Sequence, residues 1–113
     1  ENLKIRNLEV QWGNDCPEYF TNSLYCEKIN NLFIDGLCGR QCHSESKGAA
    51  ILLRDVSEVS VVNSKAVKEC GVFLQHSDVT DFRLFGQNDL LNANTPMLPP
   101  ESGFTMVGNL VKE

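Results

Sequence analysis

Four stretches of the chain share one short pattern, and this pattern decides the fold. They are KIRNLEV (residues 4–10), KINNLFI (residues 28–34), DVSEVSV (residues 55–61) and DVTDFRL (residues 78–84). Each stretch places aliphatic residues around a central Asn or acidic residue. The first aliphatic position recurs after 24, 27 and 23 residues. A repeat of this length is typical of a solenoid.

The spacing inside each pattern predicts strands. The last two aliphatic residues are two positions apart, as in a half-buried strand, and another apolar segment precedes each later pattern. Gly36, Asn63 and Gly86 follow three of the patterns and suit the left-handed backbone of a sharp corner, while Trp12 takes that place in the first. We therefore predict an all-β fold over residues 1–91, a right-handed parallel β-helix (a single-stranded solenoid) of about four coils.

Stacking of these coils predicts the core. Equivalent residues of successive coils lie about 4.8 Å apart, the spacing of neighbouring strands. The predicted aliphatic ladders are Ile5–Ile29–Val56–Val79, Leu8–Leu32–Val59–Phe82 and Val10–Ile34–Val61–Leu84. Leucine-rich repeats are the nearest alternative at this period, but only fragments of their leucine pattern occur.

The two ends of the repeat differ from its middle. Pro96, Pro99 and Pro100 predict a loop within residues 92–113, followed by a terminal strand or cap. No cap is evident at Glu1, where a strand pattern begins almost at once. Because an open solenoid end exposes strand edges and core side chains, we expect upstream coils of a longer parent chain or a second copy to cover it.

Composition excludes several classes of partner. The chain has 113 residues and a net charge of −5, with Lys and Arg scattered rather than grouped. The absence of a basic stripe argues against nucleic acid. No apolar run approaches the roughly 20 residues that a membrane-spanning helix needs.

The cysteines allow several kinds of chemistry. Cys38, Cys42 and His43 form CGRQCH, which has one residue too many for the ordinary haem-attachment motif. A zinc site would need a fourth ligand, which Cys26, Cys70 or His76 would supply. The simpler reading is a Cys38–Cys42 disulfide or free buried thiols at a corner of the longest coil, so no metal and no cofactor is predicted.

Acidic and aromatic residues supply the candidate binding site. Asp55 and Asp78 occupy equivalent places in adjacent coils, and a spacing of about 5 Å between carboxylates resembles that used to cleave glycosides. Such a pair also suits Ca²⁺, and the alternative is exposed turn residues. Trp12 and Tyr19 belong to an early aromatic cluster, with Phe20 and Tyr25. These rings either form a platform for sugars or cover the core. The predicted glycan contacts are Trp12, Tyr19, Asp55 and Asp78.

The repeats resemble the C-terminal coils of pectin-lyase-like β-helix proteins. The resemblance lies in IRNLEVQWG, INNLFIDG, ILLRDVSEVSVVNSKAV and VFLQHSDVTDFRLFG, and it is closest to the polygalacturonase-type glycoside hydrolases of family 28. That family's catalytic signatures are Asn-x-Asp, Asp-Asp, Gly-His-Gly and Arg-x-Lys. None of them occurs in this chain, so no catalytic residue is assigned.

The resemblance implies a secreted, periplasmic or cell-surface protein that meets a polysaccharide or oligosaccharide. We expect a C-terminal β-helix segment of a polysaccharide-degrading glycoside hydrolase that is not catalytic by itself. The alternative is a carbohydrate-binding or structural solenoid of a cell-surface protein. Whether the chain takes part in an enzyme is left open at this point.

Overall fold

A computed structural model describes residues 2–12, 21–42, 48–101 and 103–112. The strands are β1 (Asn2–Arg6), β2 (Leu24–Ile29), β3 (Asn31–Asp35), β4 (Cys38–Gly39), β5 (Ala49–Val62), β6 (Lys65–Ala66), β7 (Cys70–Gly86), β8 (Asp89–Leu90), β9 (Ala93–Leu98), β10 (Thr105–Val107) and β11 (Leu110–Val111). The described residues form no helix, and the paired strands run parallel. The predicted parallel β-helix is confirmed as the fold class, although the solenoid has about three turns rather than the predicted four.

The strands form three faces around one core. Strands β5 and β7 each contain two acidic residues with left-handed backbone, Asp55 and Glu58 in β5 and Asp78 and Asp81 in β7, so each strand contributes to two faces. Face A contains β2, the first halves of β5 and β7, and β9. Face B contains β1, β3, the second halves of β5 and β7, and β10. Face C is a separate sheet in the order β11-β8-β6-β4.

The middle of the predicted core is confirmed. The register pairs Ile29 with Val56 and Val79, and it pairs Leu32 with Val59 and Phe82. The third ladder runs from Ile34 to Val61 as predicted, but it continues to Phe85 instead of Leu84. The cause is a register shift between Val59 and Val61, which turns Leu84 outward and buries Phe85.

The predicted alignment of the first coil is wrong. Ile5 pairs with Ile34 rather than Ile29, and Leu3 pairs with Leu32. The stretch NLKIRNL therefore lies against NLFIDGL, and Ile5 and Ile34 are 29 residues apart. This coil, and not the 27-residue coil, is the longest. The error arose because the aliphatic positions of the short pattern fit both registers.

One corner of every coil uses a left-handed residue. At this corner, between faces B and C, the residues with positive φ are Asn7 (55°), Gly36 (84°), Asn63 (52°), Gln87 (55°) and Gly108 (69°). The predicted corners at Gly36 and Asn63 are confirmed, whereas Gln87 replaces Gly86 and Asn7 replaces Trp12. The backbone N–H of each of the first four residues donates to a carbonyl of the following coil, which fixes the corners in one column.

A ladder of polar side chains lies beside these corners. Leu37 N donates to Ser64 Oγ (3.1 Å), Ser64 N donates to Asn88 Oδ1 (2.9 Å), and Asn88 N donates to Asn109 Oδ1 (3.1 Å). Asn88 Nδ2 in turn donates to Val61 O at 3.2 Å. Ser64 and Asn88 are buried, and these bonds satisfy backbone groups that the corners turn away from the sheets.

The predicted loop within residues 92–113 is wrong in its first part. Ala93–Leu98 form β9, which pairs with β7 through Ala93, Thr95 and Met97. Pro96 is tolerated because β9 is an edge strand, where a missing N–H need not break a ladder. The later segment contains the terminal strands β10 and β11, which extend faces B and C.

Aromatic rings fill the core of the later coils. Phe85 lies edge-on to Phe73 with ring centroids 6.5 Å apart, and it lies 5.5 Å from Phe104. Phe104 also contacts Phe82 at 4.8 Å. In the later coils, a few large aromatic side chains therefore provide much of the buried apolar area, since each buries more surface than an aliphatic residue.

Candidate functional site

The outer surface of face A carries an exposed polar and aromatic patch. Tyr25 pairs with Leu52 and Glu27 with Arg54, and Leu52 pairs in turn with Gln75. The neighbouring residues Cys26 and Leu53 are buried, so the strand alternation turns these five side chains outward. We call Tyr25, Glu27, Leu52, Arg54 and Gln75 the tyrosine patch.

Hydrogen bonding fixes the tyrosine of this patch. Tyr25 is 47% exposed, and its hydroxyl donates to Glu27 Oε1 at 2.8 Å. This bond to the carboxylate holds the pKa of the Tyr25 phenol above its ordinary value, while Arg54 acts in the opposite direction. The patch thus presents one side of a ring beside a carboxylate, a guanidinium and an amide, a combination that can bind a polyhydroxylated molecule.

The two predicted acidic contacts lie next to this patch, at the bend between faces A and B. Asp55 lies between Arg54 and Val56, which pair with Ser77 and Val79 on either side of Asp78. The two acids are therefore on adjacent strands at the same level, as predicted. Both are exposed and have left-handed backbone. Their contact with a glycan stays a prediction.

The second pair of stacked acids is held by an arginine. Arg83 donates two hydrogen bonds to the Asp81 carboxylate, at 3.1 and 2.9 Å, and it lies 3.4 Å from Glu58 Oε1. The Asp81 bond raises the pKa of Arg83 above its ordinary range. Because all three side chains are about half exposed, this ion-pair network contributes little to stability.

The predicted aromatic contacts differ in their settings. Trp12 is half-buried, and its Nε1 donates to Arg40 O at 3.1 Å and to Ser23 Oγ at 3.3 Å. These bonds fix the indole against the neighbouring coil. Tyr19 and Phe20 lie outside the described residues. The exposed aromatic side chain that the structure does describe is Tyr25, which strand alternation in LYCEKI places on the same face as Glu27.

The cysteine arrangement differs from the predicted disulfide. Cys42 is disulfide-bonded, but Cys38 is free and half-buried, so the Cys38–Cys42 bond is wrong. Cys26 and Cys70 are free and buried, as expected for cysteines that act as small apolar residues. Cys16 and His43 lie outside the described residues.

His76 has a structural setting. Its Nε2 lies 2.8 Å from Pro99 O, and because a carbonyl only accepts, Nε2 carries the proton. The ring also packs edge-on against Phe82 at 5.2 Å. His76 therefore ties β7 to the segment after β9. Within the described parts of the chain, no group of three or more His, Cys, Asp or Glu residues is arranged to hold a metal ion.

Two grooves lie away from the predicted acids. One, of about 550 Å³, is at the last coil between Pro96, Pro100 and Met106. The other, of about 460 Å³, is on face B between Phe33, Val62 and their neighbours. Neither groove includes Asp55, Asp78 or Tyr25. The tyrosine patch lies instead on the outer surface of face A, across the neighbouring strands β2, β5 and β7.

Comparisons with known proteins identified no relative of this chain. The chain matches no protein-family model, no curated protein and no solved structure. Among the described residues, no helix is both long enough and apolar enough to span a membrane.

The buried thiols give a prediction about alkaline stability. Burial raises the pKa of Cys26 and of Cys70 from 9.0 to about 11, an effect that Arg40 weakly opposes at Cys70. Unfolded thiols lose their protons first as the pH rises, so stability is retained below pH 9.0 and falls between 9.0 and about 11. At a pH of about 10 we expect a loss of about 1.4 kcal/mol per thiol.

Urea unfolding at a pH of about 8 and of about 10 measures this effect. The double variant Cys26→Ala/Cys70→Ala should lose about 2–3 kcal/mol less than the parent over this interval, since it lacks both titrations. Cys38→Ala is the matched control and should retain the parental loss. An equally steep fall in the double variant would show that these thiols do not set the alkaline limit.

Proposed function

We propose that this β-solenoid is a non-catalytic segment of a secreted polysaccharide-degrading protein and that it contacts the polysaccharide through the tyrosine patch. The observation that supports this proposal is the half-exposed Tyr25 ring, fixed by Glu27 beside Arg54 on the outer surface of a parallel sheet. An amphipathic ring accepts the apolar side of a sugar, while the surrounding polar groups bond its hydroxyls.

Repetition of the coils favours a polymer over a small ligand. The row Tyr25–Leu52–Gln75–Leu98 crosses four strands of face A, and successive strands lie about 4.8 Å apart. A chain molecule laid across these strands would meet one outward side chain at each step.

The setting of the acids supports a non-catalytic role. A glycosidase needs one carboxyl group whose pKa is raised by an apolar pocket, so that it can donate a proton near neutral pH. Asp55 and Asp78 are exposed at an open bend. The catalytic motifs of the family that the repeats resemble are also missing from this sequence.

The resemblance of the repeats to glycoside hydrolase coils suggests the degradative context. The disulfide at Cys42 supports an oxidising compartment, such as the periplasm or the cell exterior. The alternative context, a carbohydrate-binding solenoid of a cell-surface protein, would use the same tyrosine patch. A polysaccharide-degrading parent would have hydrolytic activity and a carbohydrate-binding parent would not. Glycan binding by the tyrosine patch is expected in both cases.

Calorimetric titration with oligogalacturonides and with neutral plant oligosaccharides tests the binding site. We expect Tyr25→Ala to weaken binding at least about tenfold, equivalent to about 1.4 kcal/mol, because the sugar loses its stacking surface. Tyr25→Phe should retain most of the affinity, since the ring is unchanged. Leu91→Ala, at a similarly exposed apolar residue outside the patch, is the control and should bind as the parent does.

Three results would contradict this proposal. The first is equal binding by Tyr25→Ala and the parent, which would place the glycan elsewhere. The second is release of reducing sugar by this chain that disappears in Asp78→Asn, which would make the chain itself catalytic. Failure of every glycan in the panel to bind would remove the carbohydrate role.

A further inference from the structure

The last coil is an apolar end surface of the solenoid. Its outermost strands on the three faces are β9, β10 and β11, whose outer edges pair with no other described strand. The exposed large apolar side chains of these strands are Leu98, Met106, Val107, Leu110 and Val111, each between 43% and 54% exposed. We call these five residues the end patch. Contiguous apolar surface of this kind commonly marks an interaction site.

Two residues of the end patch belong to the core rows. Met106 pairs with Phe85, the buried end of the Ile34–Val61 ladder, and Val111 pairs with the buried Leu90. Both continue inward-facing rows, yet both are about half exposed. The described residues therefore leave these two core rows partly exposed at this end. Water contact with these side chains is unfavourable, at about 25 cal/mol for each Å² of apolar surface.

The end patch is almost free of charge. Between residues 92 and 112 the sequence contains Glu101 and Lys112 as its only charged residues. Of the net charge of −5, −4 resides on residues 1–91, and Glu113 contributes the remainder because Glu101 and Lys112 cancel. Two copies that meet through this end would bring few like charges together, which suits self-association better than contact with a charged partner.

The size of the end surface meets the need of a dimer. The molecule has principal extents of 36 × 31 × 25 Å. An ellipse with the two smaller extents as its axes covers about 600 Å², so contact over the whole end would bury about 1,200 Å² in total, the lower end of the range for specific interfaces.

We propose that the end patch binds the end patch of a second copy, forming a two-fold symmetric dimer. Two-fold symmetry places the exposed edge of β10 antiparallel to the same edge of its partner, so that free N–H and C=O groups pair. Pro96 lacks an N–H and weakens β9 as a pairing edge, which leaves β10 as the main site of strand addition. The apolar groove beside Pro100 and Met106 receives side chains of the second copy.

The opposite end of the solenoid fits this surface less well. On β1, Lys4 and Arg6 are exposed, and Leu3 is the exposed large apolar residue, at 40%. Contact of the end patch with β1 would place charged side chains near an apolar surface. It would also be head-to-tail and would not close, which leads to filaments rather than dimers.

Sedimentation velocity over a concentration series, at neutral pH and moderate salt, tests the dimer. We expect the chain to pass from monomer to dimer, and Met106→Lys or Val111→Lys to raise the dissociation constant about 100-fold. The factor is this large because each substitution occurs twice in a symmetric interface, at about tenfold per site. Leu3→Lys is the matched control at the opposite end and should dimerise as the parent does.

Hydrogen exchange supplies a measurement that needs no variant. Amides of residues 105–111 should become protected as concentration rises, while those of residues 2–6 should not. A chain that stays monomeric up to millimolar concentration would overturn the proposal. So would growth into larger polymers that both Met106→Lys and Leu3→Lys abolish, because that result indicates head-to-tail stacking.

Discussion

Replacement of Phe85 by Ala should destabilise the protein by about 3–5 kcal/mol, the range for deleting a large buried aromatic side chain. Phe85 is 2% exposed and packs against Phe73 and Phe104. Its loss would open a cavity between two strands of face B and the last coil. Chemical unfolding followed by far-ultraviolet circular dichroism measures the change in free energy.

The neighbouring residue supplies the matched control. Leu84 is 36% exposed and faces outward, because the register shift after Val59 moves Phe85 into the core row. Leu84→Ala should therefore cost about 1 kcal/mol or less. If Leu84→Ala costs more than Phe85→Ala, the strands pair without the shift and Leu84 occupies the core.

This pair of residues shows where sequence reasoning succeeds and where it fails. The ladders through Leu32–Val59–Phe82 and Ile29–Val56–Val79 were predictable because the aliphatic pattern repeats without interruption there. One extra residue between Phe82 and Phe85 of β7 then reverses which side chains face the core and which face outward. A bulge changes pairing but leaves the pattern of residue types intact, so spacing alone still selects Leu84.

The first coil illustrates a different limit. Ile5 satisfies the repeat pattern equally well opposite Ile29 or Ile34, and the structure selects Ile34. The corner residue Asn7, which lies beside Gly36, fits only the second register. A comparison of corner residues, which tolerate left-handed backbone, would have favoured the correct alignment.

The candidate site was less predictable than the fold. The repeat predicts that Asp55 and Asp78 lie at the same level on adjacent strands, but it does not predict which side chains surround them. Tyr25 and Glu27 are two residues apart in β2, so their common face was available from the sequence, whereas Arg54 joins them only through strand pairing. Side chains brought together by pairing across coils leave no local signal in the sequence.

The buried polar ladder should be nearly as sensitive to substitution as the aromatic core. Asn88 is 1% exposed, accepts a bond from Ser64 N and donates one to Val61 O. Asn88→Ala would leave the buried N–H of Ser64 without its partner, at about 1–3 kcal/mol, and would also remove the bond to Val61 O and open a small cavity. We expect a total loss of about 2–5 kcal/mol in the free energy of unfolding, measured by urea titration.

Asn109 occupies the same rung of the ladder in the last coil and serves as the control. It accepts a bond from Asn88 N and donates to Phe85 O at 2.7 Å, but it is half-buried at the solenoid end. Water can replace part of its bonding, so Asn109→Ala should cost about half as much as Asn88→Ala. If both variants lose the same free energy of unfolding at concentrations where the chain is monomeric, burial along the ladder is uniform. Equal losses only at high protein concentration would be the result expected if a second copy covers Asn109.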